Sequence, residues 1–145
     1  MGKSAILSVG LVVVAAMVVC GCATAGKAKG KSDPELIKDA VNEFKAGMQA
    51  KNVDQLMAMV SDQFSHPEWG DKASLKTFIQ DNVNQGNLDD AEVDLSKAET
   101  KIQDGTATVY PVGLVATFGS ATIEFKMKKE ADGKWRAVGL EVEGI

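Results

Sequence analysis

Apolar residues recur at helical spacing through the first half of residues 32–145, and this periodicity predicts three helices. Each begins at a residue able to cap its first turn: Ser32, which has the capping-box spacing to Glu35, then Asn52, then Asp71. The helices are predicted over 32–51, 52–64 and 71–86, with apolar positions at Leu36, Ile37, Ala40, Val41, Phe44 and Met48, then Leu56, Met57, Val60 and Phe64, then Leu75, Phe78, Ile79 and Val83.

After Gly86 the apolar period shortens to two residues, and this alternation predicts four strands. Asp104-Gly105 indicates a type I′ hairpin, because both central positions of that turn need positive φ. Gly119-Ser120 and Asp132-Gly133 are predicted to form the next two turns, and Gly139 to mark a bulge. The strands are predicted over 91–103, 106–116, 121–128 and 135–142, the third with Ala121, Ile123, Phe125 and Met127 on one face and Thr122, Glu124, Lys126 and Lys128 on the other.

Three helices followed by tightly connected strands predict an α+β domain. Short connections make neighbouring strands antiparallel, so the sheet is expected to be a four-stranded meander with helices covering one side. A domain of about 110 residues buries roughly two-thirds of its unfolded surface, which is enough to fold without disulfides.

This element order resembles the NTF2-like (cystatin-related) fold, which includes SnoaL-like and ketosteroid-isomerase-like proteins. The resemblance covers 32–142 and rests on the order of elements and on the hairpin phrases DGTATV and DGKW, at 104–109 and 132–135. It implies a curved sheet and a cone whose mouth lies between helices and sheet. It also implies a homodimer formed through the sheet.

The amino terminus has the layout of an export signal. Lys3 precedes an apolar run from Ala5 to Val19, which is shorter than a membrane-spanning helix needs. The run ends in V-C-G-C at 19–22, which resembles the lipobox of bacterial lipoproteins with Cys22 as the acceptor. An uncleaved anchor helix and an ordinary signal peptide are the alternatives. The resemblance implies a lipid-modified (palmitoylated) cysteine that anchors the protein to a cell membrane or outer membrane. It also implies that the domain faces the periplasm or the exterior.

These features divide the chain into a signal at 1–21, a lipidated cysteine and basic tether at 22–31, and a domain at 32–145. Both cysteines lie at the signal junction, so the domain has none. Two or three acyl chains on Cys22 would hold the protein at a membrane, since each buried methylene contributes about 0.8 kcal/mol. The tether lysines either contact anionic headgroups or simply keep a spacer soluble.

Charge argues against a nucleic-acid partner. The chain has 16 basic and 20 acidic residues, and cleavage removes Lys3 and no acid, so 15 against 20 leaves a net charge of −5. Nucleic-acid binding needs a concentrated basic face. Since no phosphate loop or zinc signature is present either, we expect no cofactor and no metal.

Two residues are candidates for catalysis. His66 lies in the SHPEWG turn, and histidine is the residue type that most often serves as a general base; a polar surface turn is the alternative. Tyr110, the only tyrosine, would correspond to the oxyanion donor that the ketosteroid-isomerase resemblance implies; an ordinary strand aromatic is the alternative.

Four aromatic residues are candidates for lining a ligand cavity, with core packing as the alternative: Trp69, Tyr110, Phe118 and Trp135. The sequence therefore predicts a membrane-anchored envelope lipoprotein whose non-catalytic domain binds a small apolar ligand or an envelope protein. A small SnoaL-type isomerase or hydratase and a structural assembly protein are the other two hypotheses.

Overall fold

The computed structural model describes residues 30–144 and contains three helices there, as the sequence predicts; the predicted signal at 1–21, Cys22 and most of the tether lie outside the described residues. The helices are α1 (Asp33–Ala50), α2 (Val53–Ala58) and α3 (Lys72–Asn84). The second helix is shorter than the predicted 52–64, because residues 59–61 bond to Ala137 in place of continuing the helix. The strands are β1 (Ser65–His66), β2 (Gly70–Asp71), β3 (Glu92–Asp94), β4 (Glu99–Gln103), β5 (Thr106–Ala116), β6 (Gly119–Lys129) and β7 (Trp135–Glu143).

The helix starts follow from local side-chain hydrogen bonds. The Ser32 backbone N–H and hydroxyl both donate to the Glu35 carboxylate at 2.7 Å, which confirms the capping-box prediction. Asn52 accepts from the Gln55 backbone N–H at 3.1 Å at the start of α2. The Asp71 carboxylate accepts from the Ser74 backbone N–H at 2.9 Å at the start of α3.

The main sheet is antiparallel, but it has five strands where the sequence predicts four. Strands β3 and β4 lie one after the other along the same side of β5, which pairs on its other side with β6, and β6 pairs with β7. The predicted strand over 91–103 is interrupted because the Asp94 carboxylate accepts from the Ser96 backbone N–H at 2.8 Å. This local turn competes with the strand ladder.

Two turns differ from expectation. The β5–β6 turn is at Thr117-Phe118 and not at Gly119-Ser120, since Ala116 pairs with Gly119. The Phe118 backbone N–H donates to the Asn87 carbonyl at 3.2 Å, which fixes the turn from outside the hairpin. The SHPEWG segment, expected as a turn alone, contains the two-residue strands β1 and β2.

Other turn predictions are confirmed. Asp104 and Gly105 have φ of 50° and 75°, as a type I′ turn requires. Near Gly139 the β6–β7 register shifts by one residue, which places a bulge where the glycine predicts one.

The core lies between α1, α2 and the inner face of the sheet. The alternation of β6 is confirmed, since its four apolar residues are buried and its polar residues are half-buried or exposed. The fully buried or nearly buried residues extend from Ile37 to Ala137, so residues from Lys31 onward form a compact unit with its own core. Among residues 30–144 no helix is both long and apolar enough to cross a membrane.

The outer edge of β7 is covered by the chain that follows α2. The Ser61 backbone N–H donates to the Ala137 carbonyl at 2.9 Å, and the Ala137 N–H donates to the Met59 carbonyl at 2.8 Å. Ser61 is fully buried, and its hydroxyl donates to Glu130 at 2.5 Å. These bonds join the helical half of the domain to the last hairpin.

Candidate functional site: an apolar cavity under the third helix

A cavity of about 180 Å³ lies between α3 and the inner face of the sheet. Its walls come from both helices and strands, and the side chains are almost all apolar. The lining residues are Phe44, Met48, Trp69, Leu75, Phe78, Ile79, Asn82, Leu88, Leu114, Phe118, Ala121, Ile123, Phe125, Leu140 and Val142.

The cavity exists because the two long helices cover the sheet unequally. Helix α1 packs directly on it, and Phe44 meets Phe125 edge-to-face with ring centroids 4.9 Å apart. In α3 only Leu75 is buried, while Phe78 is 42% exposed. Helix α3 therefore stands away from the sheet and leaves the space unfilled.

A stack of three rings stands at one side of the cavity. The His66 and Trp69 rings are 4.3 Å apart at 16°, and Trp69 and Phe78 are 5.2 Å apart at 20°. His66 Nδ1 accepts from the backbone N–H groups of Glu68 and Trp69, at 3.1 and 3.3 Å. With Nδ1 accepting, the neutral imidazole carries its proton on Nε2. The His66 ring therefore packs against the Trp69 indole and is not one of the residues that line the cavity.

One polar side chain lines the cavity among the described residues, namely Asn82. Its amide nitrogen donates to the Phe78 carbonyl at 2.8 Å, and its amide oxygen accepts from Asn87 at 3.0 Å. One N–H and one lone pair of the amide remain for a ligand, since a side-chain amide has two of each.

The structure separates the four aromatic residues that the sequence suggests for a ligand site. Trp69 and Phe118 line the cavity. Tyr110 is 42% exposed on β5 and is not part of the lining. Trp135, the first residue of β7, is 3% exposed, and its indole N–H donates at 3.0 Å to Asp33 at the start of α1. The two catalytic candidates, His66 and Tyr110, do not meet in this cavity.

The lining offers shape and apolar surface and little reactive chemistry. The lining side chains that the structure describes include no carboxylate, imidazole or phenol. Shifted pKa values occur elsewhere. A side-chain hydrogen bond from Arg136, with a backbone N–H from Lys134, lowers the pKa of Asp132 to about 2. A hydrogen bond from Lys72 lowers the pKa of Asp62. In residues 30–144 no group of three His, Cys, Asp or Glu side chains could hold a metal ion.

Several lining residues are not evident from the sequence. Asn82 and Leu88 flank the end of α3, and Leu140 lies on β7. Leu140 follows the strand alternation and could have been included. Asn82 gives no local signal, because a polar residue near a helix end is ordinarily exposed.

The arrangement can be compared with solved structures. A protein of unknown function with a cystatin-like fold from Nostoc punctiforme is similar at 18% identity over 76% of this chain and 89% of that one, with a TM-score of 0.62. An NTF2-like protein from Novosphingobium aromaticivorans is similar at 14% identity over 76% and 80%, with a TM-score of 0.63. The domain has an NTF2-like fold.

A third solved structure, an NTF2-like protein of unknown function from Pseudomonas putida, is 7% identical over 77% of this chain and 85% of that one, with a TM-score of 0.64. At these identities the likeness of the NTF2-like domain extends to its fold and not to its site residues. No protein-family model matches the chain, and no curated protein does either.

Proposed function

We propose that this chain is a lipid-anchored envelope protein whose NTF2-like domain binds a small apolar ligand and catalyses no reaction. The observation that carries the proposal is the cavity under α3, which has apolar walls and one polar side chain, Asn82. Ligand sites of this kind are concave and apolar, with few polar groups that orient the ligand.

The cavity volume sets the size of the ligand. An apolar protein cavity of about 150 Å³ holds benzene. The cavity here measures about 180 Å³, and Phe78, one of its lining rings, is 42% exposed, so we place the opening at this ring. A single ring with a short alkyl chain is therefore the expected size, with the ring inside and the chain toward the opening.

Binding of propylbenzene by the domain fragment (residues 31–145) tests the cavity. At about ten times Kd, a ligand that binds only the folded state stabilises it by about 1.4 kcal/mol. This raises Tm by roughly 5 °C for a domain of this size. Calorimetry should give saturable one-site binding. No heat and no Tm shift at the solubility limit would refute ligand binding.

A catalytic role has less support. An isomerase of the SnoaL type would need two polar groups converging on a substrate. The Nδ1 atom of His66 is engaged by backbone N–H groups, and Tyr110 is half exposed on another part of the fold.

The lipid anchor rests on the sequence at 19–22 and remains a prediction. Mass spectrometry of the amino terminus of the native protein tests it. We expect a mature chain beginning at Cys22 with diacylglyceryl and acyl groups. A native chain that still begins at Met1, or an unmodified Cys22, would refute the anchor and leave the cavity proposal unaffected.

The homodimer implied by the resemblance also stays a prediction. The outer face of the sheet exposes Val115 and Tyr110, at 53% and 42%, and also carries the Lys126–Glu141 ion pair. Sedimentation of the domain fragment at high concentration tests pairing through this face, and a monomer alone would contradict it.

A further inference from the structure

The free charges that border the cavity are mostly acidic. Four lining residues outside the sheet have a carboxylate next to them in the chain: Glu43 beside Phe44, Glu68 beside Trp69, Asp81 beside Asn82 and Asp89 beside Leu88. The acids next to lining residues on the strands lie on the opposite face of the sheet, because successive strand side chains alternate between faces. Asp89 is neutralised by Lys51 at 2.5 Å. Glu43, Glu68 and Asp81 are exposed and form no ion pair with a described residue.

The basic residues next to the lining are mostly engaged. Lys76, beside Leu75, is paired with Asp54 at 2.8 Å, and Lys126, beside Phe125, is paired with Glu141. Lys45, beside Phe44, has no ion pair among residues 30–144 but lies near Asp94. The pKa of that carboxyl is lowered first by hydrogen bonds from Ser96 and further by Lys97 and Lys45. The uncompensated charge around the cavity is therefore negative.

The aromatic side of the cavity offers a second attraction for a cation. Trp69 and Phe78 are stacked, and the Phe78 ring is 42% exposed. An ammonium group over an aromatic face within about 6 Å of the ring centroid is attracted by the ring quadrupole. The Asn82 amide can serve either head, because its remaining lone pair accepts from an ammonium group and its remaining N–H donates to a carboxylate. The selection therefore depends on the exposed ring and on the acidic border.

We propose that the cavity selects small aryl-alkyl amines, in their ammonium form, over carboxylates and alcohols with the same hydrocarbon body. This rests on the proposed function and names the ligand class for the same site. The ring occupies the apolar cavity, and the ammonium lies at the opening, near the stacked rings and the acidic border. A cleft surrounded by one sign of charge concentrates ligands of the opposite sign.

Three probes that share a phenylpropyl group and differ in the terminal polar group test this selectivity. They are 3-phenylpropylammonium, 3-phenylpropan-1-ol and 3-phenylpropanoate, each titrated into the domain fragment at neutral pH. We expect the ammonium to bind at least about tenfold more tightly than the carboxylate at about 0.01 M salt, where the Debye length is about 30 Å. The difference should shrink at about 1 M salt, where that length is about 3 Å.

Charge-neutralising variants locate the effect. Asp81→Asn combined with Glu68→Gln removes two exposed carboxylates next to lining residues and should reduce the ammonium-to-carboxylate ratio by at least about threefold. Asp104→Asn is the matched control, because this acid lies in the β4–β5 turn, is not next to a lining residue and occupies a φ of 50° that asparagine also adopts. Its ratio should equal that of the unmodified fragment.

The outcomes separate the two proposals. Equal affinity for the three probes, or tighter binding of the carboxylate, overturns the charge selection and leaves apolar binding standing. An ammonium preference that Asp104→Asn reduces as much as the double variant also overturns it, because the selectivity would then follow net charge. Failure of all three probes and of propylbenzene overturns both proposals.

Discussion

Replacing Ala121 with phenylalanine places a ring inside the cavity. Ala121 is 6% exposed on the inner face of β6, and its side chain is part of the lining. Ala107 provides the matched control. It is 4% exposed on the same face of the sheet but is not a lining residue, and it pairs with Met127 and Ile102.

The two sites predict opposite effects on stability. A phenyl ring needs about the volume that holds benzene, roughly 150 Å³, and the cavity next to Ala121 measures about 180 Å³. Burial of a phenylalanine contributes about 1.5–3 kcal/mol, less about 1 kcal/mol for fixing its rotamer. Ala121→Phe should therefore raise the free energy of unfolding by about 0.5 to 2 kcal/mol. Ala107→Phe overpacks a filled region and should lower it by about 1–3 kcal/mol.

Urea unfolding and propylbenzene titration measure both effects. With a slope of about 1–3 kcal/mol per molar urea, the two variants should differ in midpoint by roughly 1 M. Ala121→Phe should weaken propylbenzene at least about tenfold, because its ring occupies the ligand's volume, while folded Ala107→Phe should still bind. Equal destabilisation by both variants would refute the open cavity, and undiminished binding by Ala121→Phe would place the ligand elsewhere.

Three further predictions concern the anchor, the buried indole and acid stability. Cys22→Ser should move the protein from the membrane to the soluble fraction on cell fractionation, and continued membrane association in high salt would contradict the lipid anchor. Trp135→Phe removes the hydrogen bond to Asp33 and should lower the free energy of unfolding by about 1 kcal/mol in urea titration, because Asp33 stays partly hydrated. The affinity for propylbenzene should not change, since Trp135 is not one of the residues that line the cavity. The pKa of Asp132 is about 2 in the fold, below its ordinary 3.8, so the stability from its bonds to Arg136 is present above pH 4 and is lost as pH falls toward 2. The urea midpoint of the unmodified domain should therefore fall between pH 4 and pH 2, and it should fall less in Asp132→Asn. An identical fall in the variant would contradict this assignment.

Local signals predicted most of the fold. Asn52 and Asp71 cap helices through bonds to residues three positions later, and the Asp104-Gly105 turn depends on its own φ angles. Such features need no knowledge of distant chain. The interruption of the first long strand was also local, since Asp94 and Ser96 form it together, but the apolar alternation of the neighbouring residues obscured it.

What sequence could not supply was long-range placement. The β5–β6 turn is set by bonds from Thr117 and Phe118 to carbonyls of the 86–90 loop, which no periodicity reveals. Trp69 and Trp135 are the same residue type and were both candidates for lining a cavity, yet Trp69 lines it and the indole N–H of Trp135 donates to Asp33 at the start of α1. Asn82 joins the site only because α3 stands away from the sheet.

The two edges of the sheet determine how the protein behaves when many copies of it are close together. On one side the interruption at Asp94 leaves only short strands, and the β4 border presents charged Glu99 and Lys101. On the other side residues 59–61 occupy part of β7. Unpaired strand borders serve as templates for aggregation, and shortening, charging or covering them prevents this. A high local concentration of such domains should therefore not seed fibrils by strand addition.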